Sequence, residues 1–117
     1  MDYNRSISGM KVMWLMAMFD LPVVKPSQRK KAAAFRKHLL SRGFTMLQYS
    51  VYAKFCPSRD AAKAVLNNIA LALPPEGEVR VCMVTDKQFG DMLTFSGRRQ
   101  VKERKPEEKK PEQLMLF

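Results

Sequence analysis

The 117-residue chain contains one histidine, two cysteines, one tryptophan and five glycines, and each scarcity excludes something. His38 cannot build a zinc cluster with Cys56 and Cys82, which sit in separate apolar stretches without a C-x-x-C pattern. Both thiols are expected to be buried and reduced, in keeping with a cytoplasmic protein. The longest apolar run, residues 12–19, falls far short of the roughly 20 residues that span a bilayer, and no small-residue cleavage site follows it. Neither membrane insertion nor secretion is therefore expected. No internal repeat is present. Acidic residues are scarce as well, 11 against 21 Lys and Arg, which leaves a formal charge of +10. A balance this far from zero favours a polyanionic partner, nucleic acid first among them. The length suits one domain that buries roughly two-thirds of its unfolded surface.

The excess charge is concentrated. Segments 1–23 and 64–100 are each balanced, whereas 24–63 has ten basic residues against Asp60 alone, and the remainder from 101 adds one positive charge. Between Lys25 and Arg42 lie seven basic side chains and no acid, so the self-repulsion that i,i+4 acid partners normally relieve is left standing. An external anion would relieve it; a solvated helix face is the plainer reading.

Hydrophobic periodicity and punctuation predict the order β, α, β, α, β, β. Residues 12–19, Val-Met-Trp-Leu-Met-Ala-Met-Phe, carry no turn signal and suit a strand buried on both faces, ending near Asp20 because Pro22 cannot donate to a ladder. Pro26-Ser27 opens a helix over about 28–42, with Ser27 placed to cap it and Gly43 beyond its last turn. Ala32, Phe35 and Leu39 form its inward stripe, and Lys30, Lys31 and Lys37 point outward. Residues 44–55 read as strand, with Leu47, Tyr49, Val51, Ala53 and Phe55 alternating along one apolar face. That pattern leaves no aromatic platform exposed for base stacking, which counts against a general RNA-binding or ribosomal accessory module. Pro57-Ser58 starts a second helix with Ala62, Val65, Leu66, Ile69 and Leu73 at core spacing, stopped by Pro74-Pro75-Glu76-Gly77. Residues 79–85 form a further strand, and 88–95 are expected to return antiparallel.

This order fits an α+β, ferredoxin-like β-α-β-β-α-β sandwich with an extra C-terminal strand, provided that 44–55 folds into a tight pair around Gln48 to Ser50. No Gly or Asn marks that turn. The expected organisation is an N-terminal extension over 1–10, a domain over 11–97 and a charged, Pro-punctuated tail over 98–117, with Met10 an alternative start to Met1. The tail ends in Leu114-Met115-Leu116-Phe117, an apolar tetrad with reason to exist only if it docks on something. Either its own domain or another chain would serve.

Asp20 is the leading site candidate. A carboxylate at the open end of a central strand projects where sheets commonly bind ligands, and it is acceptor-only when ionised. Metal binding and a turn-capping role before Pro22 both remain open.

Several patterns coincide: Phe19-Asp20-Leu21-Pro22; Phe35-Arg36-Lys37-x-Leu39-Leu40; Gly43-Phe44-x-Met46-Leu47-Gln48-Tyr49-Ser50-Val51-Tyr52; and Thr85-Asp86-Lys87-Gln88-Phe89. Together they resemble the CRISPR-associated Cas-two family from about residue 12 to 99, and the Gln113-to-Phe117 ending looks like members from type II systems. The resemblance implies a homodimer that bridges dimers of the Cas-one integrase and holds duplex prespacer DNA for integration. It also implies, for some members, a magnesium- or manganese-dependent endoribonuclease or DNA endonuclease with Asp20 as metal ligand. Two Asp20 carboxylates could share one cation across a two-fold axis. Arg98 and Arg99 look similar to the basic pair that members set against duplex phosphates, with Lys30, Lys31, Lys37 and Arg42 as further contacts. The apolar tetrad, Leu114 to Phe117, would then dock on the integrase or the twin protomer. The chain departs from the pattern of presumed nucleases at Phe19, usually tyrosine, and Met46, usually basic, which ranks scaffold above catalysis. RNA remains the alternative substrate.

Overall fold

A computed structural model of the chain describes residues 11–97 and the backbone of 99–101. The elements run β1 (Met13–Asp20), α1 (Pro26–Ser41), β2 (Thr45–Gln48), β3 (Val51–Cys56), α2 (Arg59–Leu71), β4 (Glu78–Thr85), α3 (Asp86–Gly90), β5 (Thr94–Ser96) and β6 (Arg99–Val101). The first four strands form one sheet in the order β2-β3-β1-β4, with every pairing antiparallel. This is the ferredoxin-like α+β arrangement. β5 and β6 make a separate two-stranded hairpin, so the backbone of the charged segment begins with a short strand.

The unbroken apolar run is explained by the position of β1, inside the sheet and covered on both faces. Met13, Leu15, Ala17 and Phe19 pack toward α1 and α2 with Phe35, Leu39, Ala62 and Ile69. The intervening Trp14 belongs to a second cluster on the opposite face with Ala53 and Phe89, and Met16, Leu47, Phe55 and Val84 are packed against it. Only part of this second face is roofed. Trp14 is fully buried there, stacked on Phe89 of α3 with ring centroids 3.9 Å apart and planes within 2°. Its indole Nε1 donates to Asp86 Oδ1 at 2.8 Å.

The Thr85-Asp86-Lys87-Gln88-Phe89 pattern thus has a structural cause. Thr85 Oγ1 accepts from Gln88 N at 3.1 Å, and Gln88 Oε1 accepts from Thr85 N at 2.8 Å, a reciprocal cap that starts α3 at once after β4. Residues 88–95 are therefore not one returning strand: the cap commits the first of them to helix, and only Thr94–Ser96 are extended.

Other departures are local. Ser27 lies within the first turn of α1; Pro26 takes the first helical position and Lys25 is the cap, its N–H bonded to Gln28 Oε1 at 2.9 Å. Ser58 caps α2 as expected, accepting from Ala61 N at 3.1 Å. Leu73, beyond the end of α2, is half exposed and does not join the core. Cys56 is buried but Cys82 is exposed, because alternation along β4 turns Cys82 to the partly roofed face opposite Met16. Among the described residues no helix is long and apolar enough to cross a membrane.

Candidate functional site

Asp20 is the exposed last residue of β1. By alternation it shares the partly roofed face with Trp14, Met16 and Met18. An open hollow of about 280 Å³ lies there, lined by Met18, Phe19, Asp20, Glu78 and Arg80. Register sets Glu78 of β4 directly opposite Asp20, so two carboxylates occupy neighbouring positions on one sheet face. Glu78 Oε1 accepts from Arg80 Nη2 at 3.3 Å across exposed surface. Asp20 has no side-chain hydrogen bond or ion pair among the described residues. It does not cap α1, which removes the turn-capping reading.

Two backbone features hold this strand end. On one flank Phe19 N donates to Ser50 O at 3.1 Å, tying β1 to the β2–β3 turn. On the other, Gly77 has φ +90°, and a Cβ placed there would come within 2.6 Å of the Asp20 carbonyl oxygen and 3.0 Å of Leu21 Cα. Gly77 reads in the sequence merely as a helix stop. Its contact with Asp20 joins residues far apart in the chain, so no local pattern announces it.

The β2–β3 turn is where the fold requires it. Ser50 adopts φ 67°, and a register shift between Met46 and Gln48 leaves Leu47 as the extra residue. The consequence for Tyr49 overturns its assignment to the buried strand face. It is 74% exposed, with the Arg36 guanidinium over its ring, 5.4 Å from the centroid. Tyr52, the second residue of β3, is buried and stacks on Phe19 at 5.5 Å. Burial pushes the Tyr52 phenol above its ordinary value; Arg36 pulls it down and Tyr49 adds a smaller upward push.

Of the remaining candidates, Lys30, Lys31, Lys37 and Arg42 are all exposed on or just beyond α1 and do not converge on Asp20. Arg29, by contrast, is committed to the fold, its Nη1 donating to Val23 O at 3.2 Å and Val24 O at 2.8 Å. Arg98 and the tetrad Leu114, Met115, Leu116 and Phe117 lie outside the described residues; Arg99 is in β6. Among the described residues no three His, Cys, Asp or Glu side chains gather as a metal cage. The donor set at Asp20 and Glu78 still suits magnesium, which keeps most of its waters and takes one or two carboxylates. Phe19 and Met46, where the chain departs from the nuclease pattern, both pack on the helix-covered face. A hydroxyl or cation at either position would start from the far side of the sheet from Asp20.

A basic ferredoxin-like sandwich with a carboxylate, unpartnered among the described residues, at the end of its central strand defines the class. The chain belongs to the CRISPR associated protein Cas2 family, which it matches over residues 13–92. It is 46% identical over 105 residues to the CRISPR-associated endoribonuclease Cas2 of Parvibaculum lavamentivorans, covering 90% of this chain and 100% of that one. Similar proteins of the same description occur in Paracidovorax avenae, 40% identical over 95% of this chain and 99% of the relative, and in Flavobacterium psychrophilum, 43% identical over 99% and 97%.

Proposed function

We propose that the chain acts as a homodimer that holds duplex prespacer DNA and bridges it to a CRISPR-associated integrase of the Cas-one family. The observation that supports this most is the unfinished half of the second sheet face. Met16, Met18, Leu47 and Val51 are only partly buried, and Cys82 is exposed beside them. A second copy stacked sheet against sheet would cover these side chains and leave both α1 basic faces outward. Arg98 and Arg99 are the proposed phosphate contacts, with Lys30, Lys31, Lys37 and Arg42 adding to the field; Leu114, Met115, Leu116 and Phe117 are proposed to dock on the integrase. In a reconstituted partner complex, Arg98→Glu with Arg99→Glu is expected to lose duplex retention and spacer integration. Integration at the unmutated level would remove that pair from the interface.

A second reading, a metal-dependent endoribonuclease, is favoured by the exposed Asp20 carboxylate at the end of β1 and by the activity in the relatives' names. Asp20 is the proposed ligand of Mg2+ or Mn2+, with Glu78 opposite it as a second oxygen donor. A cation bound there would supply an activated water and offset charge developing on the phosphate. Asp20→Asn should abolish metal-dependent RNA cleavage and spare duplex binding. Absence of cleavage by the unmutated protein with either metal would end this reading.

A further inference from the structure

Tyr49 occupies a position that strand alternation would have buried, and the structure instead brings it into solvent. The β1–β3 ladder closes at Met18 opposite Val51, and the Phe19 N to Ser50 O bond continues it by one step. Tyr49 is the next residue, the first of the two turn residues between Gln48 and its partner Val51, and so it lies on the β2 side of the turn. The positive φ of Ser50 turns the chain there, and the Tyr49 ring leaves the sheet. A single exposed aromatic needs no explanation by itself. This one differs in what surrounds it. Arg36 covers one side of the ring, Arg36 also acts on the Tyr52 phenol behind it, and the segment that supplies all three carries nearly all of the chain's excess charge.

We propose that Tyr49, braced by Arg36, is a stacking platform for one base of an unpaired nucleic-acid strand, with the adjoining phosphate toward the basic helix α1 that supplies Arg36. The proposal rests on the nucleic-acid reading but not on cleavage. Every base presents a π-face, so a tyrosine platform works without sequence preference, and a guanidinium contributes both to the stack and to nearby phosphate charge. In a duplex those faces are already stacked on neighbours. The platform therefore discriminates single strands, or the splayed ends of a duplex, from paired DNA.

The test uses the full chain carrying Asp20→Asn, so that no strand is consumed. A short single-stranded RNA with 2-aminopurine at one position, and a plain duplex of the same length, are titrated at fixed salt. Binding of the single strand should quench the 2-aminopurine emission. Tyr49→Ala should weaken single-strand affinity about tenfold and abolish the quench, Tyr49→Phe should keep both, and duplex affinity should stay within about twofold throughout. If duplex binds but Tyr49→Ala leaves single-strand affinity and quench intact, or weakens both substrates equally, the platform is refuted and the nucleic-acid reading stands. If the protein binds neither substrate, that reading falls and the platform falls with it.

Discussion

Replacing Gly77 by alanine tests whether the end of β1 is held in place by the loop that precedes β4. Two costs arise. An L-residue in the left-handed region costs roughly 1–2 kcal/mol. The added methyl would also lie 2.6 Å from the Asp20 carbonyl oxygen and 2.9 Å from Leu21 Cδ2. The leucine tip can swing aside; the carbonyl belongs to a strand paired on both edges and cannot. Overpacking against fixed atoms costs about 1–3 kcal/mol. Alanine returns about 0.4–1 kcal/mol by restricting the unfolded chain. The steric terms win, for a net loss of about 2–4 kcal/mol, a large share of a typical stability of roughly 5–15 kcal/mol. Gly43→Ala is the internal control. Its φ of +92° carries the same strain, but the methyl would meet only Lys54 Nζ at 2.7 Å, the free end of a flexible side chain. Its net cost should be about 1 kcal/mol. Urea unfolding at matched protein concentration reads both, and in thermal melts each kcal/mol corresponds to about 4–6 °C. Equal losses for the two variants would show that the Asp20 backbone is not the obstacle, and the account of how this strand end is held would fail.

Three further outcomes follow from the packing. Phe89→Ala should cost about 3 kcal/mol and shift the emission of Trp14, the sole tryptophan, to the red as its stacked partner disappears; unchanged emission would contradict the stack. The Tyr52 phenol is raised in the folded chain, so its contribution to stability is fully present below the ordinary phenol value near 10 and is lost as pH rises through the folded value. Tyr52→Phe should flatten that alkaline decline in urea midpoints, and an identical decline in both proteins would assign it elsewhere. Met18→Glu places a charge on the half-covered sheet face beside Asp20; if the proposed dimer forms through that face, light scattering should give a dimer mass for the unmutated chain and a monomer mass for the variant.

What was legible in the sequence was what a local pattern enforces. The apolar run of β1 and the proline two residues past Asp20 locate both the inner strand and its carboxylate end, because backbone chemistry at Pro22 leaves no alternative. The α3 helix was also legible: Thr85-x-x-Gln88 is a capping box, a signal that the strand reading of 88–95 passed over. Alternation of Val79, Val81 and Met83 with Arg80 and Cys82 likewise puts Cys82 on the charged side of β4. The β2–β3 turn was legible only from the fold's demand for two strands, since Ser50 takes a conformation usually left to Gly or Asn. From that one residue follows the displacement of Tyr49. The Gly77 approach to Asp20 and the Arg36 position over Tyr49 depend on how distant segments meet, and no spacing encodes them.

The division of the sheet into two faces bears on what a nuclease or an adaptor would need. The helix-covered face is complete within one chain: Phe19 meets Phe35 edge to face at 5.3 Å, and Tyr52 closes the layer behind it. The other face is complete only where α3 roofs Trp14. Beyond that roof it changes from Met16 and Met18 to Arg80, Glu78 and Asp20 within two register steps. An apolar strip exposed alone would be an aggregation hazard, and a charged cluster buried alone would be costly. Side by side they suit a contact that dries the methionines and leaves the carboxylates at its rim, open to water, a cation and a phosphate. The same contact would bring a second Asp20 into the neighbourhood of the first. Duplex holding and cleavage would then draw on one assembly, and a substitution in the strip would impair both, whereas a substitution of Asp20 itself would impair only the second.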